Sequence, residues 1–214
     1  MKSDLNAMRR RRPDGDKTRE RIIDAAGELF AQYGYQGTTS KAICQRSKVN
    51  QAAVNYHFGS RQELYKEILY QAHEALLELD HLDALLDDKC SAPEQLYNFL
   101  AEIIPAIMDA KSWQLRVWAR EIAVPSEFLS QLVEQQISPK FTRLQGLIAD
   151  VTGIPLDDSR LLPAMFSTLA PCLMLLVLNR ENSMPLSPIF DYDSAELVTY
   201  LHRFLLAGLQ AIRV

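Results

Sequence analysis

The sequence predicts an all-α fold in two parts, a small N-terminal group of three helices and a larger helical body. Apolar residues recur at helical spacing in one segment after another. Ser, Thr, Asn or Asp stands just before several of these segments, where such residues cap helices. No run of alternating β-branched and polar residues indicates a strand.

The first helix is predicted over residues 17–34. Ile22, Ala26, Leu29 and Phe30 form an apolar stripe at helical spacing. Gly34 follows that stripe at a position suited to a left-handed C-terminal cap. The helix is therefore expected to contribute to the core of the N-terminal part.

Two shorter helices are predicted next, joined by a tight turn around Lys48. Thr39 can cap the first of them and Asn50 the second. With Val54 and Phe58 turned inward, the second helix exposes small and amide side chains. This is the helix-turn-helix pattern, predicted as a DNA-binding domain over residues 17–62. Asn and Gln can pair with an adenine edge, and a short Ala lets the helix approach the groove closely. The predicted base-reading residues are Asn50, Gln51, Ala52 and Asn55.

Residues 19–64 resemble the DNA-binding domain of TetR/AcrR-type transcriptional regulators. The resemblance rests on spacing as well as residue type, and it covers about 50 residues, a quarter of the chain. The matching residues are Arg19, Ile22, Ala25, Ala26, Leu29, Phe30, Gly34, Tyr35, Thr38, Thr39, Ile43, Val49, Val54, Tyr56, His57, Phe58, Gly59, Ser60, Arg61 and Leu64. The chain departs at Lys48, where the family usually has Gly. If this residue has a positive φ, Lys costs about 1 kcal/mol there.

The resemblance implies a ligand-responsive homodimeric repressor that binds a palindromic operator in double-stranded DNA. In the family, residues at the end of the recognition helix contact phosphate, and phosphate contacts set the register of the protein on DNA. The predicted phosphate contacts are Thr39, Ser40, Lys41, Tyr56, His57 and Arg61.

Charge is distributed unevenly along the chain, whose net charge is −4. Residues 1–61 hold 12 Lys and Arg against 6 Asp and Glu, and the rest holds 11 against 21. A cationic N-terminal part would attract phosphate at one end only. Residues 1–16 are predicted to be a basic disordered arm with Arg9, Arg10, Arg11 and Arg12. The arm could enter the minor groove or only aid solubility, and the sequence leaves both open.

Residues 63–214 are predicted to be a helical effector-binding and dimerisation domain. A capping box at Ser60 and Glu63 starts a helix expected to continue to about residue 86 and to link the two domains. Further helices are predicted over residues 93–109, 113–123, 126–152, 158–179 and 194–212. Pro105 and Pro139 lie inside two of them and should distort them.

The homodimer is predicted to form through helices 158–179 and 194–212. Residues 161–177 are almost continuously apolar, close to the length of a membrane span. Pro163, Ser167, Thr168 and Pro171 interrupt this run. Burial within a dimeric four-helix bundle is therefore favoured over contact with a membrane.

A largely apolar small-molecule effector is predicted to bind between the helices of the body. Apolar side chains could line the cavity while arginines orient the ligand, although each could equally be ordinary core or surface. The candidates are Phe99, Met108, Trp113, Arg116, Trp118, Arg120, Phe128, Phe141, Met165 and Phe166.

Residues 113–153 also resemble, more weakly, the C-terminal domain of the CerR-like branch of the same family. The matching residues are Arg120, Glu121, Pro125, Gln136, Ile137, Ser138, Pro139, Leu144, Leu147, Ile148, Thr152 and Gly153. That branch includes repressors that respond to small toxic compounds.

No catalytic residues, metal site or cofactor are predicted. The sequence lacks a nucleophile elbow, a P-loop, GxGxxG and metal-ligand spacing of its four histidines. Three cysteines without a CxxC pair are typical of a protein in the reducing cytoplasm. Because the protein is predicted to bind DNA, it is also expected to associate with the nucleoid. Two alternatives stay open, an architectural DNA-binding protein without an effector and an enzyme carrying a DNA-binding domain.

Overall fold

The computed structural model describes residues 13–87, 89–108, 112–178 and 185–213. Helices are the only regular secondary structure among these residues, without a strand, which confirms the predicted all-α class. The chain divides into two compact units between Ile68 and Leu69. The arginine block at residues 9–12 lies outside the described residues.

The first unit begins with α1, Pro13–Gly37, followed by α2, Ser40–Ser47, and α3, Gln51–Phe58. It ends in the first part of α4, Arg61–Glu74. Helix α1 starts earlier than predicted, because proline is tolerated in the first turn of a helix. Residues 13–16 are thus helical, which corrects the C-terminal end of the predicted disordered arm. Gly34 interrupts α1 as expected, with φ 68° and ψ −179°, but this ψ lies outside the left-handed helical region.

The core of the first unit is formed by the apolar stripe of α1 and by single residues of the following helices. Ile22, Ala26, Ile43 and Leu64 are fully buried, and Val54 is nearly so. Helix α1 packs on α2, and α2 on α3. This packing fixes α3 by one buried face and leaves its other face free.

The predicted long helix over residues 61–86 is wrong: α4 ends at Glu74, and α5 spans Leu79–Leu85. The buried positions explain the break. Ala72, Leu77 and Leu82 are buried while Ala75 is exposed, a spacing of five that a continuous helix cannot keep on one face.

In the second unit, α6 (Ala92–Met108) is the central helix. It packs against α9, α10 and α11, which span Ser138–Thr152, Leu161–Val177 and Ser194–Ala211. Helix α7 spans Trp113–Ala123, as predicted, and its N-cap is Ser112. The predicted internal proline of α6, Pro105, lies within the helix. None of the helices within the described residues has both the length and the hydropathy that crossing a bilayer requires.

The predicted helix over residues 126–152 is divided. Helix α8 is a single turn, Leu129–Leu132, and a π-helical turn over Val133–Ile137 connects it to α9. Pro139 stands in the first turn of α9. Proline lacks an N–H and clashes with the carbonyl four residues earlier, so the wider π turn accommodates it. A 3₁₀ turn, Ser187–Asp191, precedes α11.

Candidate nucleic-acid interface and ligand cavity

The helix-turn-helix is closed by two caps. The Ala42 N–H donates to Thr39 Oγ1 at 3.2 Å, and the Ala53 N–H donates to Asn50 Oδ1 at 2.9 Å. Both caps were predicted from the sequence. The caps fix the first turns of α2 and α3. Lys48 and Val49 form the turn between the end of α2 and the start of α3.

Lys48 occupies the left-handed region, with φ 54° and ψ 42°, and is the only residue other than glycine in the described ranges with positive φ. The departure from glycine therefore retains the turn geometry. Arg21 of α1 supports this turn: its Nη2 donates to the Ser47 carbonyl and, at 3.4 Å, to the Lys48 carbonyl. The sequence reading missed this role for Arg21, because only the fold brings it beside the turn.

The outer face of α3 carries the four predicted base-reading residues in exposed positions. Gln51 Nε2 donates to Asn55 Oδ1 at 3.0 Å, so these two amides form one pair on that face. Asn50 uses its Oδ1 as the helix cap and keeps its amide nitrogen as a donor. Ala52 beside them adds little bulk. The face thus offers donors and acceptors suited to base edges in a major groove.

The predicted phosphate contacts lie at the start of α2, at the end of α3 and at the start of α4. Thr39 and Lys41 are exposed and Ser40 is half-buried at the start of α2. Tyr56, at the end of α3, is 83% exposed, and its ring lies 5.1 Å from the half-buried ring of His57. Hydroxyl, ammonium and ring N–H groups of this kind are suited to phosphate contacts.

Arg61 has a different environment from the one its predicted phosphate contact requires. Its Nη1 donates to the Tyr35 carbonyl at 2.8 Å and to the Thr38 carbonyl. The guanidinium also lies over the Tyr35 ring, 4.1 Å from the centroid. These contacts favour a positioning role for Arg61, in which it fixes the start of α4 against the end of α1.

The second unit contains an apolar cavity of about 160 Å³ between α4, α6, α7, α9 and α10. Its walls include Leu77, Ile103, Trp118, Phe141, Leu169 and Leu176. Cys172 also lines it, and burial raises the pKa of this thiol to about 12, so the wall stays uncharged there. An apolar space of this size, partly open to solvent, can hold a small ring or part of an alkyl chain.

The predicted pocket residues are placed in three different environments. Phe99, Trp118 and Phe141 line the apolar cavity, and Met165 lies with Phe99 at a neighbouring gap in the packing. Met108, Trp113 and Phe128 are buried core residues outside the cavity lining. Arg116, Arg120 and Phe166 are exposed, Phe166 by 72%, so the structure does not bring them to the cavity.

A buried polar cluster, formed by His73, Glu74, Gln136 and Lys140, lies beside the cavity. Lys140, only 7% exposed, donates to Glu74 Oε1 at 2.9 Å and to His73 Nδ1 at 3.2 Å. Gln136 Nε2 donates to the same Glu74 oxygen at 3.1 Å. The sequence does not indicate this cluster as a site, because His73 and Glu74 lie more than 60 residues before Gln136 and Lys140. Only the packing of α4 against the π turn and α9 joins the two pairs.

Burial, and then the charge of Lys140, lower the pKa of His73 from 6.5 to about 4, so its ring is neutral at pH 7. On unfolding, His73 regains its usual pKa and takes up a proton below about pH 6.5. The folded state therefore loses stability as the pH falls from about 6.5 towards 4.

We expect the free energy of unfolding to fall by about 2 kcal/mol between pH 7 and pH 5 because of His73 alone. Urea unfolding at the two pH values measures this difference. His73→Gln, which keeps an acceptor for Lys140, should remove most of it. An equal loss in the variant would contradict this origin.

An open cleft of about 270 Å³ borders the cluster on its other side. Its walls include Tyr70, Glu78, Asp80 and Gln135, together with Glu74, Gln136 and Lys140 of the cluster. We call it the acidic cleft. Among the described residues, those of the acidic cleft included, no group of three or more His, Cys, Asp or Glu side chains has the arrangement of a metal site.

Large apolar side chains remain exposed on α10 and α11. Leu162, Phe166, Leu173 and Val177 recur at helical spacing along one side of α10, and Tyr200 and Phe204 follow on α11. Their exposure ranges from 40% to 72%. Exposed apolar side chains at this spacing are typical of an interaction surface.

The fold and these sites define a class: a helix-turn-helix DNA-binding domain joined to a helical domain with an internal cavity. Comparison with known families agrees. Residues 22–68 match the family of bacterial regulatory proteins called tetR, and residues 92–212 match the C-terminal domain of the HTH-type transcriptional dual regulator CecR. The chain belongs to the TetR family of bacterial transcriptional regulators, with a C-terminal domain of the CecR type. Both resemblances predicted from the sequence, including the branch given there as CerR-like, are thereby confirmed.

Two curated relatives illustrate the similarity. The chain is 27% identical over 118 residues to IcaR, the negative transcriptional regulator of the biofilm operon icaADBC in Staphylococcus aureus strain Newman. That match covers 55% of this chain and 60% of IcaR, so the chain spans less than two thirds of this relative. It is 28% identical over 158 residues to the dual regulator CecR of Shigella flexneri, covering 69% of this chain and 70% of CecR.

Among solved structures, FadR from Bacillus subtilis in complex with stearoyl-CoA has a TM-score of 0.66 to this chain. The match covers 88% of this chain and 98% of FadR at 15% identity. At this identity the likeness shows the fold alone. The family is one of transcriptional regulators, which are not enzymes.

Proposed function

We propose that the protein is a ligand-responsive homodimeric repressor that binds a palindromic DNA operator in the bacterial cytoplasm, associated with the nucleoid. The observation that carries this proposal is the exposed amide face of α3, held outward by a buried helix-turn-helix core. The relatives IcaR and CecR, both transcriptional regulators by name, support it. Two such faces in a dimer would meet successive major grooves of one operator.

Base readout is assigned to the amides of Gln51 and Asn55, with Asn50 donating through its free amide nitrogen and Ala52 permitting close approach. Thr39, Ser40, Lys41, Tyr56 and His57 would contact phosphate on either side. Arg61 would act indirectly, by fixing the start of α4.

Gln51→Ala should relax base preference at one operator position, at a cost of about 1–3 kcal/mol on the preferred sequence. The same change removes the donor to Asn55, so that amide loses its alignment too. Affinities for operators changed one base pair at a time measure the effect. Lys41→Ala is the control: it should weaken binding to all sequences and lower the slope of log affinity against log salt by about 0.9. Equal effects of the two changes on every sequence would contradict the assigned roles.

The effector would bind in the apolar cavity. FadR, a structure of the same fold, is in complex with stearoyl-CoA, a molecule with a long apolar chain. Helix α4 offers the coupling: its last residues, His73 and Glu74, line the cavity and the acidic cleft, while its first residue, Arg61, holds the end of α1. An effector that favours one position of α4 over another would shift the population of DNA-binding states.

A gel-shift assay on the DNA upstream of the protein's own gene, with scrambled competitor and a salt series, tests the proposal. We expect binding that survives the competitor. Binding lost equally to scrambled DNA would favour the architectural alternative, in which no effector acts. Absence of binding at low salt would overturn the assignment of α3.

A further inference from the structure

The apolar cavity and the acidic cleft meet at one side chain, Lys140, which lines both. A ligand whose apolar part fills the cavity can therefore place its polar end at this junction, next to the cleft. The groups around the junction decide which polar end is accepted.

The charges at the junction are predominantly negative. Glu74, Glu78 and Asp80 line the cleft, and Lys140 is the one cation among the lining residues of either space. Lys140 is already paired with Glu74 at 2.9 Å. Within the described ranges, Glu78 and Asp80 have no ion-pair partner. An anionic group would thus meet two uncompensated carboxylates, whereas a cation would compensate them.

Gln136 supplies a second, independent observation. Its side chain lines the cleft and is 5% exposed, and no described residue makes a well-formed hydrogen bond to its Oε1. Its interaction with His73 favours the protonated form of that ring, and His73 is neutral at pH 7. A buried acceptor without a donor costs free energy that a ligand N–H can recover. A ligand group at the junction that donates a hydrogen bond to Gln136 Oε1 would therefore be favoured. A carboxylate or a thioester oxygen cannot donate this bond.

We propose that the effector is a cationic amphiphile, an apolar body carrying a protonated primary or secondary amine. The apolar body occupies the cavity, the ammonium donates to Gln136 Oε1, and Glu78 and Asp80 compensate its charge. This inference rests on the proposed function, because it names the ligand class of the same cavity. It also separates this chain from an acyl-CoA ligand, whose phosphates would face the acidic cleft.

Three probes with the same chain and different polar ends test the charge requirement: octylamine, 1-octanol and octanoate. Titration calorimetry on the full chain at pH 7 gives their affinities, and Trp118 fluorescence reports entry into the cavity it lines. We expect octylamine to bind about tenfold more tightly than 1-octanol, and octanoate to bind most weakly, as the sign of the local charges requires. Octanoate binding as tightly as octylamine would overturn the proposal.

The double variant Glu78→Gln/Asp80→Asn tests which residues recognise the charge. It should lose the preference for octylamine and leave the affinity for 1-octanol unchanged. Glu127→Gln, an exposed carboxylate outside both linings, is the matched control and should behave as the unaltered protein. Both side chains replaced in the double variant are exposed, so the fold should tolerate the changes, and circular dichroism is the check that the variants remain folded. An undiminished preference for octylamine in the double variant would overturn the assignment of the cleft.

The gel-shift assay distinguishes failure of this inference from failure of the proposed function. Specific operator binding that octylamine reverses and octanoate does not would support both. If 1-octanol or octanoate releases the operator and octylamine does not, the cationic class is wrong while the regulator stands. If no probe binds but operator binding is specific, the inference fails and the DNA-binding function is unaffected.

Discussion

Replacing Phe166 and Phe204 with glutamate should convert the proposed dimer into a monomer and abolish tight operator binding. The two side chains are 72% and 67% exposed, on α10 and α11 respectively. Neither contributes to the core of the second unit, so the fold should tolerate the change. Four carboxylates in a twofold-symmetric interface would instead face one another or apolar surface without partners.

The expected magnitude follows from burial. Each phenylalanine buried in an interface contributes about 1.5–3 kcal/mol, and a symmetric dimer contains each of them twice. Loss of all four contributions, about 6–12 kcal/mol, is comparable with the whole association free energy of a dimer of micromolar affinity, about 8 kcal/mol. Operator affinity should fall with dimerisation, because a single helix-turn-helix reads only one half-site.

Light scattering after size-exclusion chromatography measures the mass of the variant and of the unaltered protein, which is 24.3 kDa per chain. Val124→Glu is the control, since Val124 is 68% exposed in the segment after α7 and belongs to neither α10 nor α11. It should leave the dimer intact. A dimeric Phe166→Glu/Phe204→Glu variant would show that the helices predicted for dimerisation, residues 158–179 and 194–212, are not the interface.

The features that the sequence predicted well are those encoded locally. Thr39, Asn50 and Ser112 each cap a helix that begins one residue later, and a cap depends only on its own turn. The outward face of α3 followed from the positions of Val54 and Phe58 alone. The whole helix-turn-helix could therefore be placed before any packing was known.

The features that the sequence missed depend on which element packs against which. The break after Glu74 follows from burial of Leu77 instead of Leu76, and periodicity alone does not distinguish these neighbours. The sequence predicts that Arg61 contacts DNA phosphate and gives no sign of its contacts within the protein. In the structure its Nη1 donates hydrogen bonds to two carbonyls about 25 residues earlier in the chain, those of Tyr35 and Thr38.

The polar cluster illustrates the same limit more strongly. His73, Glu74, Gln136 and Lys140 are ordinary surface residues in a sequence reading, because Lys and Glu are rarely buried. Their pairing across α4, the π turn and α9 makes burial possible. Phe166 shows the opposite error. It is an aromatic residue within an apolar run, which predicts a place in the cavity wall, but its side chain is exposed.

Glu74→Ala should be the most destabilising single substitution in the polar cluster. Glu74 Oε1 accepts from Lys140 Nζ at 2.9 Å and from Gln136 Nε2 at 3.1 Å, and the Lys140 side chain is only 9% exposed. Removing the carboxylate leaves a buried ammonium without a counter-ion beside a neutral His73. Breaking such a pair from one side costs about 3–5 kcal/mol.

The exposed ion pair between Arg143 and Asp83 provides a matched control in the same unit. It is short, at 2.7 Å, but its side chains are 51% and 43% exposed. Solvent screens this pair, so Asp83→Ala should cost less than about 1 kcal/mol. Urea unfolding at pH 7 measures both variants, and Glu74→Ala/Lys140→Met should recover much of the loss because no charge stays buried. Similar losses for Glu74→Ala and Asp83→Ala would mean that water screens the charge of Lys140 as it screens that of Arg143.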